Sequence, residues 1–99
     1  MMQKHELKTL NIYWDAVAAG TKTFEVRKND RAFQTGDILI LNRTDERGRM
    51  DPLPKHRGGP FPKSQLRFRI SYLLQGGQFG IASGYCVLGL AELGEGDDG

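Results

Sequence analysis

Lys22, Glu25 and Arg27 bring two cations and one carboxylate within six positions of one another. Such a set can neutralise a phosphate or polarise a carbonyl while still offering a proton acceptor, so the three are candidate catalytic residues. Their spacing is that of a strand: Phe24 and Val26 alternate with Thr23, Glu25 and Arg27, which sends the apolar pair and the polar trio to opposite faces. Glu25 and Arg27 then share a face, with Cα atoms roughly 6.5 to 7 Å apart, near enough to touch or to grip one ligand together. The plainer alternative is an exposed strand face with a weak ion pair worth about 0 to 1 kcal/mol. Lys28 and Arg31 extend the cationic run toward the Thr35-Gly36-Asp37 turn, and Arg67 and Arg69 recur on a later strand. Lys22, Arg27, Lys28, Arg31, Arg67 and Arg69 are therefore the candidate ligand-binding cations.

The elements that must position these residues are short. His5 to Leu10 reads as a strand with His5 and Leu7 on one face. Asn11 offers a helix N-cap, and Tyr13/Val17 and Trp14/Ala18 stand at i,i+4 spacing, with Asp15 in the first turn and Gly20 as the stop. A helix of about two turns is too short to stand alone, so Trp14 and Val17 must dock on a sheet. The unbroken run Ile38-Leu39-Ile40-Leu41 predicts a strand buried on both faces. Leu66, Phe68, Ile70, Tyr72 and Leu74 alternate with Arg67, Arg69, Ser71 and Leu73, which predicts a half-buried strand with a basic outer face. Its apolar side should meet Ile38, Ile40, Leu88 and Trp14. Tyr85 to Ala91 is the last strand, with Cys86, Leu88 and Leu90 facing the core. Five short strands with one small helix give an α+β fold, mainly β: a small, mostly antiparallel barrel whose closure protects strand edges.

Between these elements lie two segments without periodicity. Residues 44–64 hold four prolines and three glycines and read as an irregular loop. The glycine-rich 75–84 stretch reads as a turn; it has neither a dinucleotide fingerprint nor a P-loop.

Ninety-nine residues suit one domain, taken as 1–93, with residues 94–99 a flexible acidic tail. The net charge of +2 hides segregation: residues 43–69 carry eight cations against Asp45, Glu46 and Asp51, whereas Glu92, Glu95, Asp97 and Asp98 follow without a cation. A local basic patch points to an anionic partner such as nucleic-acid phosphate. A single cysteine excludes an internal disulfide, and with two distant histidines it gives no metal-ligand spacing. Neither a membrane span nor the apolar core of a signal peptide is present, so a cytoplasmic monomer without a cofactor is expected.

The run Gly20-x-Lys22-x-x-Glu25-x-Arg27, preceded by a short helix and followed by Thr35-Gly36-Asp37 and an Ile-Leu strand, resembles the ASCH domain of the PUA-like superfamily. Gly76-Gly77-Gln78-Phe79-Gly80, Gly84-Tyr85 and Val87-Leu88-Gly89 look like a branch of small bacterial and phage members whose function is unassigned. The resemblance runs from His5 to Leu90. It implies a PUA-like pseudo-barrel with a cleft beside the signature, and binding of RNA, a nucleotide or a modified nucleoside. It also implies a hydrolase alternative, because family members include an acetylcytidine amidohydrolase and a ribonuclease. Residues matching Lys22 and Arg27 are kept in that amidohydrolase, but Glu25 stands where it has its catalytic threonine; Thr23 would place its hydroxyl about 7 Å away.

Three functions compete on these residues. In a nucleic-acid-binding module the cations hold phosphate while Tyr13, Trp14, Phe33 or Phe79 stacks a base. In a hydrolase Glu25 is the general acid/base, and Lys22 either supplies charge or, if desolvated, acts as the base itself. In a protein-interaction module the proline-rich loop is the binding surface.

Overall fold

The computed structural model describes residues 2–53 and 65–93. The 54–64 part of the expected loop, with Lys55, Arg57 and Lys63, and the expected tail 94–99 lie outside the described residues. The chain runs β1 (Lys4–Leu10), α1 (Asn11–Ala18), β2 (Phe24–Lys28), β3 (Ile38–Thr44), β4 (Gln65–Gln75) and β5 (Tyr85–Glu92). The strands form one mixed sheet in the order β1-β3-β4-β5-β2, curled into a half-barrel with one short helix. Three pairings are antiparallel and β1–β3 is parallel.

The concave face carries the core. Leu7, Leu39, Leu41, Ile70, Cys86 and Leu88 are buried there, with Trp14 and Val17 of α1 docked over them. The Trp14 indole donates to the Leu41 carbonyl at 3.0 Å, satisfying its buried polar atom. Cys86 is a fully buried core residue, and burial pushes its thiol above the ordinary range.

Three local expectations need correction. Leu39 and Leu41, not Ile38 and Ile40, face this core; Ile38 and Ile40 pair with Arg69 and Arg67 on the other side, although both are buried, as a doubly covered strand requires. Asn11 is the first helical residue and not the cap: its Oδ1 accepts from the Ile12 N–H, and its amide donates to Asp51. Asp15 serves Arg43 instead of the first turn, with Nε–Oδ1 at 2.9 Å and Nη2–Oδ2 at 3.0 Å. That Arg43 fork holds the Asp15 carboxyl below the usual range.

The segment after β3 is also more regular than its composition suggested. Thr44 bridges Met50, and the Asp45 carboxylate accepts from the backbone N–H groups of Arg47 and Arg49. Arg43 binds Asp51 through both its carbonyl and its carboxylate, and Arg49 lies 3.4 Å from Asp45. Two cations of the basic segment are thus engaged in holding their own turn to the sheet. The 75–84 stretch is a turn, as read: Gly76 and Gly77 donate to the Tyr85 and Ile81 carbonyls.

Strand β4 departs furthest from its alternation. Ile70 pairs with Leu90 but Tyr72 pairs with Gly89, so one extra residue, Ser71, is accommodated in a bulge. Beyond it the faces exchange. Leu73 joins the core and Tyr72 is 66% exposed. Ser71 and Tyr72 stand together opposite Gly89, and the Ser71 hydroxyl lies 2.8 Å from where a Cβ at position 89 would be.

Candidate ligand cleft at the barrel seam

β1 and β2 are the two edges of the sheet, and they approach each other where the half-barrel curls round. Between them opens a cleft of about 510 Å³ lined by Lys8, Thr9, Leu10 and Tyr13 on one side and by Lys22 and Phe24 to Arg27 on the other. No main-chain ladder closes this seam among the described residues. It is bridged instead by Arg27, whose Nη2 donates to Thr9 Oγ1 at 3.0 Å.

The signature is fixed by two elements, the end of α1 and β2. Helix α1 ends with Gly20 at φ 81°, its N–H bonded to the Val17 carbonyl and the Thr21 N–H to the Ala16 carbonyl. A left-handed residue here favours glycine, and the pattern reverses the chain toward the sheet. The Lys22 N–H shares the Ala16 carbonyl at 3.1 Å, so the lysine starts from an anchored backbone. β2 then pairs with β5 in a register that sets Glu25 opposite Leu88 and Arg27 opposite Cys86.

That register inverts the expected exposure. Leu88 and Cys86 must face the core, so Glu25 and Arg27 point inward with them, while Phe24 and Val26 turn outward, 44% and 51% exposed. Glu25 is only 3% exposed. Its Oε1 accepts from Lys22 Nζ at 2.6 Å, and its Oε2 from Arg27 Nε at 3.0 Å and Nη2 at 2.8 Å. Lys22 Nζ also donates to the Phe24 carbonyl at 2.6 Å and lies 5.0 Å from the Phe24 ring centre and 5.7 Å from that of Tyr13. The result is a buried carboxylate clamped between two partly covered cations, not a weak surface pair. A carboxylate holding three N–H donors organises the cations and keeps only about one of its four or so acceptor sites for anything else.

The other predicted cations do not converge on the cleft. Lys28, Arg67 and Arg69 stand on the opposite, outer face of the sheet, as their pairing with Tyr85, Ile40 and Ile38 requires. Arg31 crosses to the edge of β1, where Nη1 donates to the Glu6 carbonyl at 2.9 Å. Of the proposed stacking residues, Trp14 and Phe33 are buried core, whereas Tyr13 is 50% exposed at the cleft and Phe79 is 83% exposed at the tip of the 75–84 turn. Phe24 was missed as a cleft residue because its alternation read as inward.

Sequence reasoning also missed a buried polar cluster at the start of β3. His5 Nε2 lies 2.9 Å from Asp37 Oδ2, both residues are buried, and the imidazole packs edge-on to Phe33. The Gln3 and Gln34 N–H groups complete the carboxylate's shell. Burial pushes the Asp37 carboxyl up, but the hydrogen bonds from His5, Gln3 and Gln34 outweigh it and hold the carboxyl below its usual value. A folded-state value below the unfolded one stabilises the protein above about pH 4 and is lost as pH falls through the folded-state value. Asp37→Asn should therefore lower stability at neutral pH and flatten its loss in acid. Urea midpoints measured from pH 7 to pH 2 check this; identical pH slopes in parent and variant would contradict it.

Among the described residues no group of three or more His, Cys, Asp or Glu side chains is placed to hold a metal ion, and no helix is long and apolar enough to cross a membrane.

The sequence is 49% identical over 43 residues to an "Uncharacterized 12.9 kDa protein in GpA 3'region" of Escherichia phage P2, a match that covers 42% of this chain and 39% of the phage protein. The chain thus spans about two fifths of the length of that relative. A broader match covers residues 4–90, taking in β1 to β4, most of β5 and both sides of the cleft. On that match the chain belongs to the family described as Domain of unknown function (DUF3850).

Proposed function

We propose that the protein binds nucleic acid, RNA in the first instance, or a modified nucleoside in the seam cleft. The observation that carries this reading is the convergence of Lys22 and Arg27, held in place by buried Glu25, beside the exposed rings of Tyr13 and Phe24. Cations fixed by a buried counter-ion can meet a phosphate or a base carbonyl without first being ordered, and exposed rings supply a stacking surface. The resemblance of the Gly20–Arg27 signature to the ASCH domain supports the same reading. On it the protein works as a cytoplasmic monomer. A hydrolase using Glu25 as base is the weaker reading, because both carboxylate oxygens are already engaged.

Protein NMR titration with free nucleosides, mononucleotides and short oligonucleotides tests the proposal. Shifts should localise to Lys8–Tyr13 and Lys22–Arg27, weaken as salt is raised, and diminish in Tyr13→Ala, whose half-exposed ring can be removed without touching the core. Shifts scattered away from the seam, or affinity indifferent to both salt and Tyr13, would refute it.

A further inference from the structure

The outer face of β2, β5 and β4 carries a second surface. The register puts Phe24, Gly89 and Tyr72 in one row across the three strands, and Val26, Val87 and Leu74 in the next. Phe24, Val26, Tyr72 and Tyr85 are all exposed, at 44%, 51%, 66% and 40%. Phe24 and Tyr72 belong to strands two apart, so their backbones stand roughly 9 to 10 Å from each other. The residue between them is Gly89, and the space its side chain would fill is taken by the Ser71 hydroxyl. Two exposed rings thus flank a small polar group, an arrangement that exists only because the β4 bulge turns Ser71 and Tyr72 outward together. The same face of these three strands carries Lys28, Arg67 and Arg69 and no Asp or Glu.

We infer that this face is a stacking platform for single-stranded nucleic acid. Aromatic rings on a sheet stack bases irrespective of sequence, and the cations that these strands carry on the same face suit the phosphates between them. A protein partner would be served by the apolar residues but gains nothing from Lys28, Arg67 and Arg69 beside them unless it is itself acidic. Phe24 and Val26 line the seam cleft as well as the platform, so the two surfaces meet along β2. The proposal rests on the cleft reading only in expecting one strand to reach both; the platform itself stands on the rings and their rim.

Uridine monophosphate and hexauridylate, titrated into the parent, Tyr72→Ala and Tyr13→Ala, separate the two surfaces. Hexauridylate should bind the parent at least about tenfold tighter than the monophosphate, and Tyr72→Ala should weaken the hexamer roughly five- to a hundredfold while leaving the monophosphate unchanged. Tyr72 is exposed, so this variant keeps the core; Tyr72→Thr, which retains strand propensity, serves as its duplicate. A hexamer no tighter than the monophosphate, or insensitive to both Tyr72 variants, overturns the platform. So does self-association of the parent that is relieved by Tyr72→Ala in the absence of hexamer-induced shifts on this face. If the monophosphate fails to bind while the hexamer still depends on Tyr72, the platform stands and the cleft reading falls.

Discussion

Glu25→Ala should destabilise the protein by about 3 to 5 kcal/mol, the cost typical of removing one partner from a buried ion pair. The variant removes the carboxylate clamped between Lys22 and Arg27 and leaves two partly covered cations facing each other across the vacated space. Glu25→Gln keeps the shape but not the charge, so it should also lose stability, by less than Ala because the amide oxygen still accepts a hydrogen bond. Arg27→Ala leaves Glu25 buried with Lys22 and severs the bridge to Thr9, so it too should weaken the fold, by more than the exposed-strand alternative of a weak surface pair would allow. The informative companion is the triple replacement Lys22→Met, Glu25→Leu, Arg27→Met. Exchanging a whole buried ionic group for apolar residues of similar size is often neutral or stabilising by roughly 1 to 4 kcal/mol. That variant should therefore fold yet fail to bind in the seam, separating the structural contribution of the trio from its ligand contribution. Urea denaturation measures the first and nucleotide titration the second. A Glu25→Ala protein as stable as the parent would show that the carboxylate is solvated in solution; a triple variant that binds like the parent would remove the trio from the site.

Ile70→Ala should cost about 2 to 5 kcal/mol, since Ile70 is completely buried in the concave core and a truncation there leaves a cavity as well as losing transfer energy. In a domain of this size each kcal/mol corresponds to roughly 4 to 8 °C in Tm, so the variant should melt well below the parent. Arg69→Ala, on the outer face, should cost under about 1 kcal/mol. Past the bulge the order of effects reverses relative to simple alternation. Leu73→Ala should be clearly destabilising, whereas Tyr72→Ala, two residues beyond Ile70 and so on its face by alternation, should cost under about 1 kcal/mol. Gly89→Ala should cost under about 1 kcal/mol, because the atom its Cβ would meet at 2.8 Å is the Ser71 hydroxyl, the end of an exposed side chain that can turn aside. Denaturation midpoints of the five variants under one condition test the set. If Tyr72→Ala costs as much as Leu73→Ala, the bulge does not exchange the faces as described.

The amino-acid sequence by itself determined the kinds and order of the elements. The β3 run Ile38–Leu41 is buried through and through, α1 stops at Gly20 and docks Trp14 and Val17, and β5 buries Cys86 and Leu88, because continuous apolar runs, helical spacing and alternation are local consequences of side-chain transfer energy. It also marked Glu25 and Arg27 as one pair, since strand geometry alone brings residues two apart to one side, with Lys22 at the strand entry beside them. What lay beyond it was which side is inside. Phe24 and Val26 look like the buried face of β2, yet the pairing with β5 commits Glu25 and Arg27 to the core side; burying Leu88 and Cys86 fixes the register, and a register carries the whole neighbouring strand with it. The same limit explains Tyr72, for a bulge is decided by the partner strand and leaves no periodic trace in its own. Likewise the six candidate cations are indistinguishable by type, and only the fold parts them: Lys22 and Arg27 go to the seam, Lys28, Arg67 and Arg69 to the outer face, and Arg31 to the edge of β1. The buried His5–Asp37 pair joins residues 32 positions apart in the chain, a separation at which only tertiary packing decides who meets whom.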